Sequence, residues 1–220
     1  MDWFLENRKD LGRHIAYMEE RAGHAHRLLA IPSRERLERV MRYLLDEQEF
    51  LSPYGIRSLS RHHLAHPYTL AMDGGEQRVD YAPGEATSSL FGGNSNWRGP
   101  IWFPLNFLLV ESLERYHHFY GDTLRVELPT GSGRRVTLVE AAREIQSRLA
   151  RIFLADAEGR RPFAGDNPLL AGPDGRELVL FHEYFHAETG RGLGASHQTG
   201  WTGLAVSCLE DRARWRKVSS

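Results

Sequence analysis

The sequence predicts a mostly all-α fold of the α/α toroid kind, in which inner helices deliver long loops to one shared mouth. Three observations point there. Apolar residues recur at helical spacing in segments 33–45 and 137–156. The run 105–120 is apolar almost all round at its start. Between these helices lie long glycine-rich and aromatic loops with room for only short β-hairpins, which neither an up-down bundle nor a solenoid needs.

Residues 2–31 open on Trp3-Phe4-Leu5 and carry Gly12, Gly23, His24 and His26, so helix is expected over part of the stretch. Pro32 and Ser33 then start a helix with Leu37, Val40, Met41, Leu44 and Leu45 on one face, and Ser52-Pro53-Tyr54-Gly55 is expected to end it. Segment 50–96 has little periodicity and reads as a long functional loop. One hairpin is expected inside it, pairing Tyr68-Thr69-Leu70 with Val79-Asp80-Tyr81 across Asp73-Gly74-Gly75. His62, His63 and His66 stand without Cys, Asp or Glu at ligand spacing and read as surface or pocket histidines.

The helix over 105–120 must be buried on every side where it is apolar on every side, and Gly121-Asp122 ends it. Pro129-Thr130-Gly131-Ser132-Gly133 lacks the Gly-Lys-Ser/Thr of a phosphate cradle and reads as a turn. Thr137 with Glu140 forms a capping box for a helix carrying Leu138, Ala141, Ile145, Leu149 and Ile152 down one face. Segment 159–175 reads as loop. A last helix begins near Thr199 and runs through Leu204, Ala205, Cys208 and Leu209 into a solvated basic tail at 212–217.

At 220 residues the chain can bury a real core. A formal charge of -1 and a pI near 6.8 give no electrostatic footprint for nucleic acid. The single cysteine, Cys208, excludes an intramolecular disulfide framework and fits a reducing compartment. The first residues lack the features of a signal peptide, and no apolar run reaches the length of a membrane span, so a cytoplasmic location is expected.

Chemistry concentrates between His182 and Trp201, HEYFHAETGRGLGASHQTGW. Two readings compete. His182-Glu183-Tyr184-Phe185-His186 fits H-E-x-x-H, where two histidines a helical turn apart bind zinc and the glutamate is a general base, which would make a zinc metallopeptidase. That reading requires a helix. The preceding segment 176–181 instead suggests a strand after a Pro173-Asp174-Gly175 turn, with His182, Tyr184 and His186 on one face and Glu183 with Phe185 on the other. In that geometry Glu183 is a lone carboxylate beside aromatic walls. The bland alternative is an exposed glutamate in a loop hairpin. A second rich stretch, 92–104, leads into the apolar helix and aims backbone N–H groups and the positive dipole end at whatever its loop faces. There Trp102 reads as packing, and Asn96 and Arg98 as polar groups held for ligand contact.

Gly92 to Trp102, GGNSNWRGPIW, then Tyr120-Gly121-Asp122, the PTGSG turn, and EYFHAETGRGLGASHQTGWTGL from Glu183 to Leu204 resemble the C-terminal half of the catalytic domain of glycoside hydrolase family 63. The resemblance covers roughly residues 33–210. It is a family of mannosyl-oligosaccharide (processing) glucosidases and bacterial mannosylglycerate and glucosylglycerate hydrolases, related to the trehalases. The resemblance implies a partial (α/α)6 barrel, with residues 1–220 as the C-terminal portion of the catalytic domain, and inverting hydrolysis of an oligosaccharide or small glycoside. Inversion needs two carboxyl groups about 6.5–9.5 Å apart, with a water between.

The family's general base aligns with Glu183. Asn96, Trp97, Arg98, Gly99, Tyr184, His197 and Trp201 are the implied sugar-binding residues, with no metal and no cofactor. The family's general acid stands in an upstream motif that this sequence does not show, and neither Asp73 nor Asp80 has its surroundings. The implied partner is therefore the upstream half of the same enzyme, and the chain by itself is expected to be inactive. A non-enzymatic alternative is a carbohydrate-binding module that keeps the fold's surface without the acid.

Overall fold

The computed structural model describes residues 2–12, 17–20, 27–30, 32–72, 75–87, 95–172, 175 and 177–219. Two short helices, α1 (Asp2–Asn7) and α2 (Lys9–Gly12), precede an antiparallel hairpin of β1 (Tyr17–Glu20) and β2 (Arg27–Ala30). His24 and His26 lie outside the described residues. Helix α3 (Arg34–Leu44) begins where expected, with the Ser33 hydroxyl accepting from the Arg36 N–H at 3.3 Å.

It ends earlier than expected. Residues 47–51 leave the helix because the buried Arg57 guanidinium donates to the carbonyls of Glu47, Glu49 and Leu51. Two hairpins follow, β3 (Leu51–Ser52) with β4 (Gly55–Ile56), and β5 (Tyr68–Met72) with β6 (Gly75–Val79). The second is the expected hairpin, but in a register that sets Tyr68 opposite Val79 and Leu70 opposite Gln77, so its strands stop short of Asp80 and Tyr81; Asp73 and Gly74 lie outside the described residues.

Helix α4 (Phe103–Tyr120) starts two residues before the expected 105, with Pro104 in its first turn, where its missing N–H costs nothing. It buries Phe103, Asn106, Val110 and Leu113. The expectation of burial on every side fails at Leu105 and Leu108, which are 44% and 61% exposed. Buried Asn106 is satisfied, bonding both backbone groups of Ile56 at 2.7 and 3.0 Å and so fastening the β3–β4 hairpin to the helix.

Strands β7 (Arg125–Glu127) and β8 (Arg135–Thr137) flank the turn at 129–133 and lead into α5 (Leu138–Arg151). The capping box is present in full, with Thr137 and Glu140 bonded in both directions. Leu138, Ala141, Ile145, Leu149 and Ile152 are all completely buried. Helix α5 packs between α4 and α8 (Ala205–Ser219), so it is the spine of the core. Gln146 bonds Asp211 across the α5–α8 contact at 3.0 Å.

Segment 159–175 is not wholly loop, since it contains a 3-10 turn at Pro162–Ala164 and the one-turn helix α6 (Pro168–Ala171). The expected last helix is broken into α7 (Thr199–Thr202) and α8 by the Gly203 turn, and α8 continues through the basic tail. The expected strand before His182 reduces to a single bridge between Phe181 and His197; extended pairing appears only in β9 (Tyr184–Phe185) with β10 (Gly192–Leu193).

Candidate active site

The two information-rich stretches meet. Ile101 and Phe185 exchange both backbone hydrogen bonds, at 2.8 and 3.0 Å, joining the strap before α4 to β9. On its other edge that strap is held by Ser58, whose N–H donates to Pro100 O and whose hydroxyl accepts from Gly99 N. Gly99 is buried at φ +144°, and a Cβ there would stand 2.6 Å from the Tyr81 ring. Only glycine meets both demands. Its part is therefore to let the strap pass beneath Tyr81.

Glu183 lies at a bend just before β9 and is partly buried. Its N–H donates to Ala195 O at 2.8 Å, fixing the backbone against the returning arm of the hairpin. Its carboxylate accepts from the Ser95 hydroxyl at 2.7 Å and is approached by Ala195 N–H at 3.5 Å. Gly194 makes room for it: at φ +66°, a Cβ would meet Glu183 Oε2 at 2.6 Å and the Tyr184 ring at 2.9 Å. The result is a carboxylate aimed by two donors and bordered by an aromatic wall.

That wall is a stack. Trp97 lies flat on Trp102, centroids 3.9 Å apart and planes within 3°, and remains 37% exposed. Trp102 is buried, stacks toward Tyr184 at 4.9 Å, takes the edge of Trp201 at 6.1 Å, and donates its Nε1–H to Asn96 O. Trp102 is thus the packing residue the sequence suggested, and the rings of Trp97 and Trp201 remain partly exposed. Burial raises the Tyr184 hydroxyl pKa, with Glu85 and Glu183 adding to it, so this residue is a neutral donor beside the carboxylate.

Asn96 and Arg98 sit in the same loop but face inward. Asn96 is 1% exposed and donates to Ala82 O and Gly84 O, both at 2.7 Å, while its side-chain oxygen accepts from Arg98 N at 3.0 Å. Arg98 is 3% exposed, paired with Asp80 at 3.1 Å and donating to the Thr87 hydroxyl at 2.9 Å. Their polar groups are committed to holding segment 80–87 against the Trp97 loop. His197 is exposed, its ring 3.4 Å from the Ser196 hydroxyl.

Sequence reasoning missed three partners: Ser95, which stood inside the quoted loop, Asp80 as the counterion of Arg98, and Glu188. Glu188 pairs with buried Arg57 at 3.0 Å and accepts from the Tyr81 hydroxyl at 2.5 Å. Burial works against its charge, but Tyr81 and Arg57 outweigh that and hold its carboxyl below the usual range. The same burial, with Glu188 beside it, pushes the Tyr81 hydroxyl far up. This clamp ties the loop after β9 to the β3–β4 hairpin and to the ring that covers Gly99.

The zinc reading is overturned. His182 to His186 run through a bend and a strand, so the two histidines form no helical clamp, and among the described residues no three His, Cys, Asp or Glu side chains gather as a metal site. The expected strand faces are also corrected. His182 lies with Phe185, ring centroids 6.2 Å apart, while Glu183 borders Tyr184, because the bend at Glu183 interrupts the alternation. Among the described residues no helix is long and apolar enough to cross a membrane.

Residues 3–202 match the mannosylglycerate hydrolase MGH1-like glycoside hydrolase domain. The chain belongs to this family. The resemblance to family 63 read from the sequence holds, and this is a glycoside hydrolase domain related to mannosyl-oligosaccharide glucosidases. The uncharacterized protein YMR196W of Saccharomyces cerevisiae is 47% identical over 215 residues, 96% of this chain and 20% of that protein.

A probable mannosyl-oligosaccharide glucosidase of Schizosaccharomyces pombe is 24% identical over 176 residues, 80% of this chain and 15% of that protein. The mannosyl-oligosaccharide glucosidase of Saccharomyces cerevisiae is 23% identical over 175 residues, 79% of this chain and 15% of its own length. The chain therefore spans a fifth or less of the length of these curated relatives.

Proposed function

We propose that this chain carries the general-base side of an inverting α-glycosidase site, with Glu183 taking the proton from the attacking water. The observation that carries the reading is the placement of Glu183: a carboxylate held by Ser95 and Ala195 at the edge of the Trp97–Trp102–Tyr184 stack. Sugars present apolar ring faces and hydroxyl rims. A partly exposed tryptophan two residues from the serine that holds an oriented carboxylate matches both.

The substrate in this proposal is an oligosaccharide or small glycoside, in keeping with the glucosidase names of two relatives. The general acid, which inversion places about 6.5–9.5 Å from the base, comes from the upstream half of the catalytic domain. The relatives' greater length supports that division. Here α4 and α5 are helices of a toroid that the upstream half completes, and the exposed Leu105 and Leu108 on α4 form part of the face it covers. A cytoplasmic location and the absence of a bound cofactor belong to the same reading.

The test has two arms. Titration of the chain with α-linked glucosyl and mannosyl disaccharides, followed by tryptophan fluorescence, is expected to show saturable binding that Trp97→Ala removes. Joined with the upstream half, the chain is expected to release sugar of inverted anomeric configuration, and Glu183→Gln to stop release without lowering the melting temperature. Turnover unchanged by Glu183→Gln refutes the assignment; saturable binding with no turnover in the joined protein favours a carbohydrate-binding module.

A further inference from the structure

Behind the hairpin that carries Glu183, the chain forms a second polar recess. One part, about 330 Å³, lies between segment 163–170 and the β9–β10 hairpin, with Phe163 and His182 in its wall. The adjoining part, about 540 Å³, reaches Tyr54 and Arg161. Arg191 and Asp166 line both. The stem of Arg191 lies on Gly165, where a Cβ would stand 2.6 Å from its Cγ and Cδ.

The recess is unusually rich in unused hydrogen-bonding groups. Both ring nitrogens of His182 and the Nε of Arg161 are buried with no partner among the described residues. The Arg191 guanidinium has no hydrogen bond or ion pair among the described residues. Arg160, by contrast, is already neutralised by Asp156 and Glu158, at 3.0 and 3.1 Å. Buried polar groups without partners are costly, and each calls for a physical reason. The unsatisfied set consists mainly of donors, two of them on guanidinium groups, against one carboxylate without a partner among the described residues, Asp166. A partner that completes it brings acceptor oxygens and negative charge, which a planar guanidinium binds best.

We propose that this recess binds a small oxyanion, the phosphate or carboxylate group of a metabolite, with Arg191 as the principal contact and Arg161 and His182 as the inner wall. The room for the His182 ring is built in: a Cβ on Gly192 would stand 2.1 Å from it. The site uses none of the residues assigned to the sugar face and does not rest on the glycosidase reading.

Titration calorimetry of the chain with inorganic phosphate, and separately with malonate, at ionic strength matched with sodium chloride, tests this. One saturable site per chain is expected for at least one of the two anions; which one binds identifies the phosphate or the carboxylate as the source. Arg191→Ala is expected to weaken binding about tenfold or more, the loss of a bidentate charge-assisted contact, and Asp166→Asn to tighten it. Arg214→Ala, removing an exposed arginine paired with Glu210 on α8, is expected to change nothing. Arg191 is exposed, so its variant keeps the fold. Saturation by neither anion, or Arg191→Ala binding like the unmodified chain, overturns the proposal.

Discussion

Asn96→Ala separates a scaffold from a ligand contact. Asn96 makes three hydrogen bonds, to Ala82 O and Gly84 O and from Arg98 N, while only 1% exposed. Alanine supplies none of them at this buried position. At about 1 kcal/mol net for each bond, the loss is about 3 kcal/mol. That is a large share of a total stability of about 5–15 kcal/mol, and lowers the melting temperature by about 6–12 °C for a chain of this size.

Urea denaturation read by far-ultraviolet circular dichroism measures the loss, with sugar titration alongside. Asn96→Asp is expected to be no better, since it keeps the acceptor for Arg98 N but turns a second oxygen toward two carbonyls. A variant that melts within about 1 °C of the unmodified chain, a loss under about 0.5 kcal/mol, while binding sugar more weakly, would refute the scaffold role and return Asn96 to the ligand.

Three further outcomes are expected. Gly194→Ala places a methyl against Glu183 Oε2 and Tyr184 at a left-handed φ, so a loss of about 1–2 kcal/mol in urea and weakened turnover in the joined protein are expected. Asp80→Asn removes the charge facing buried Arg98 from a position itself 37% exposed, so solvent tempers the effect and a loss of about 1 kcal/mol, smaller at high salt, is expected.

For pH, burial lowers the pKa of His182, with His197 adding to it, and burial with Arg191 lowers that of His186. The unfolded chain then binds more protons just below pH 6.5, so stability rises with pH through that window and falls as pH drops into it. Denaturation midpoints at a series of pH values check the sign, and His182→Leu is expected to flatten the slope.

What the sequence revealed was mostly local. The capping box of α5, its apolar face, the start of α3 and the presence of the β5–β6 hairpin follow from spacings of a few residues, and each formed as read, whereas the register of that hairpin did not. What it concealed depended on distant partners. The end of α3 is set by Arg57 drawing three carbonyls out of helical geometry. Asn96 and Arg98 looked available to a ligand because their actual partners lie in segment 80–87, where no periodicity announced structure. Glu183, Trp97 and Trp201 could be nominated from composition and motif, but the bend that turns Glu183 toward Tyr184 is a tertiary effect of pairing with Ala195. Ser95 carried a readable signal, a hydroxyl inside the quoted loop, whereas Glu188 needed Arg57 to be seen.

The clamp from Arg57 to Glu188 spans 131 residues, and the bond from Ser95 to Glu183 spans 88. During synthesis, the Trp97 strap and α4 leave the ribosome long before the segment that will hold them. Every contact that aims the carboxylate waits for residues 183–195 to arrive and dock. Closing loops of that span carries an entropy penalty that local helices do not meet. A nick near position 131, in an exposed turn, would leave α3 and α5 able to form yet cut the covalent tether between the strap and its fastening, whereas an insertion there would lengthen the tether at little cost.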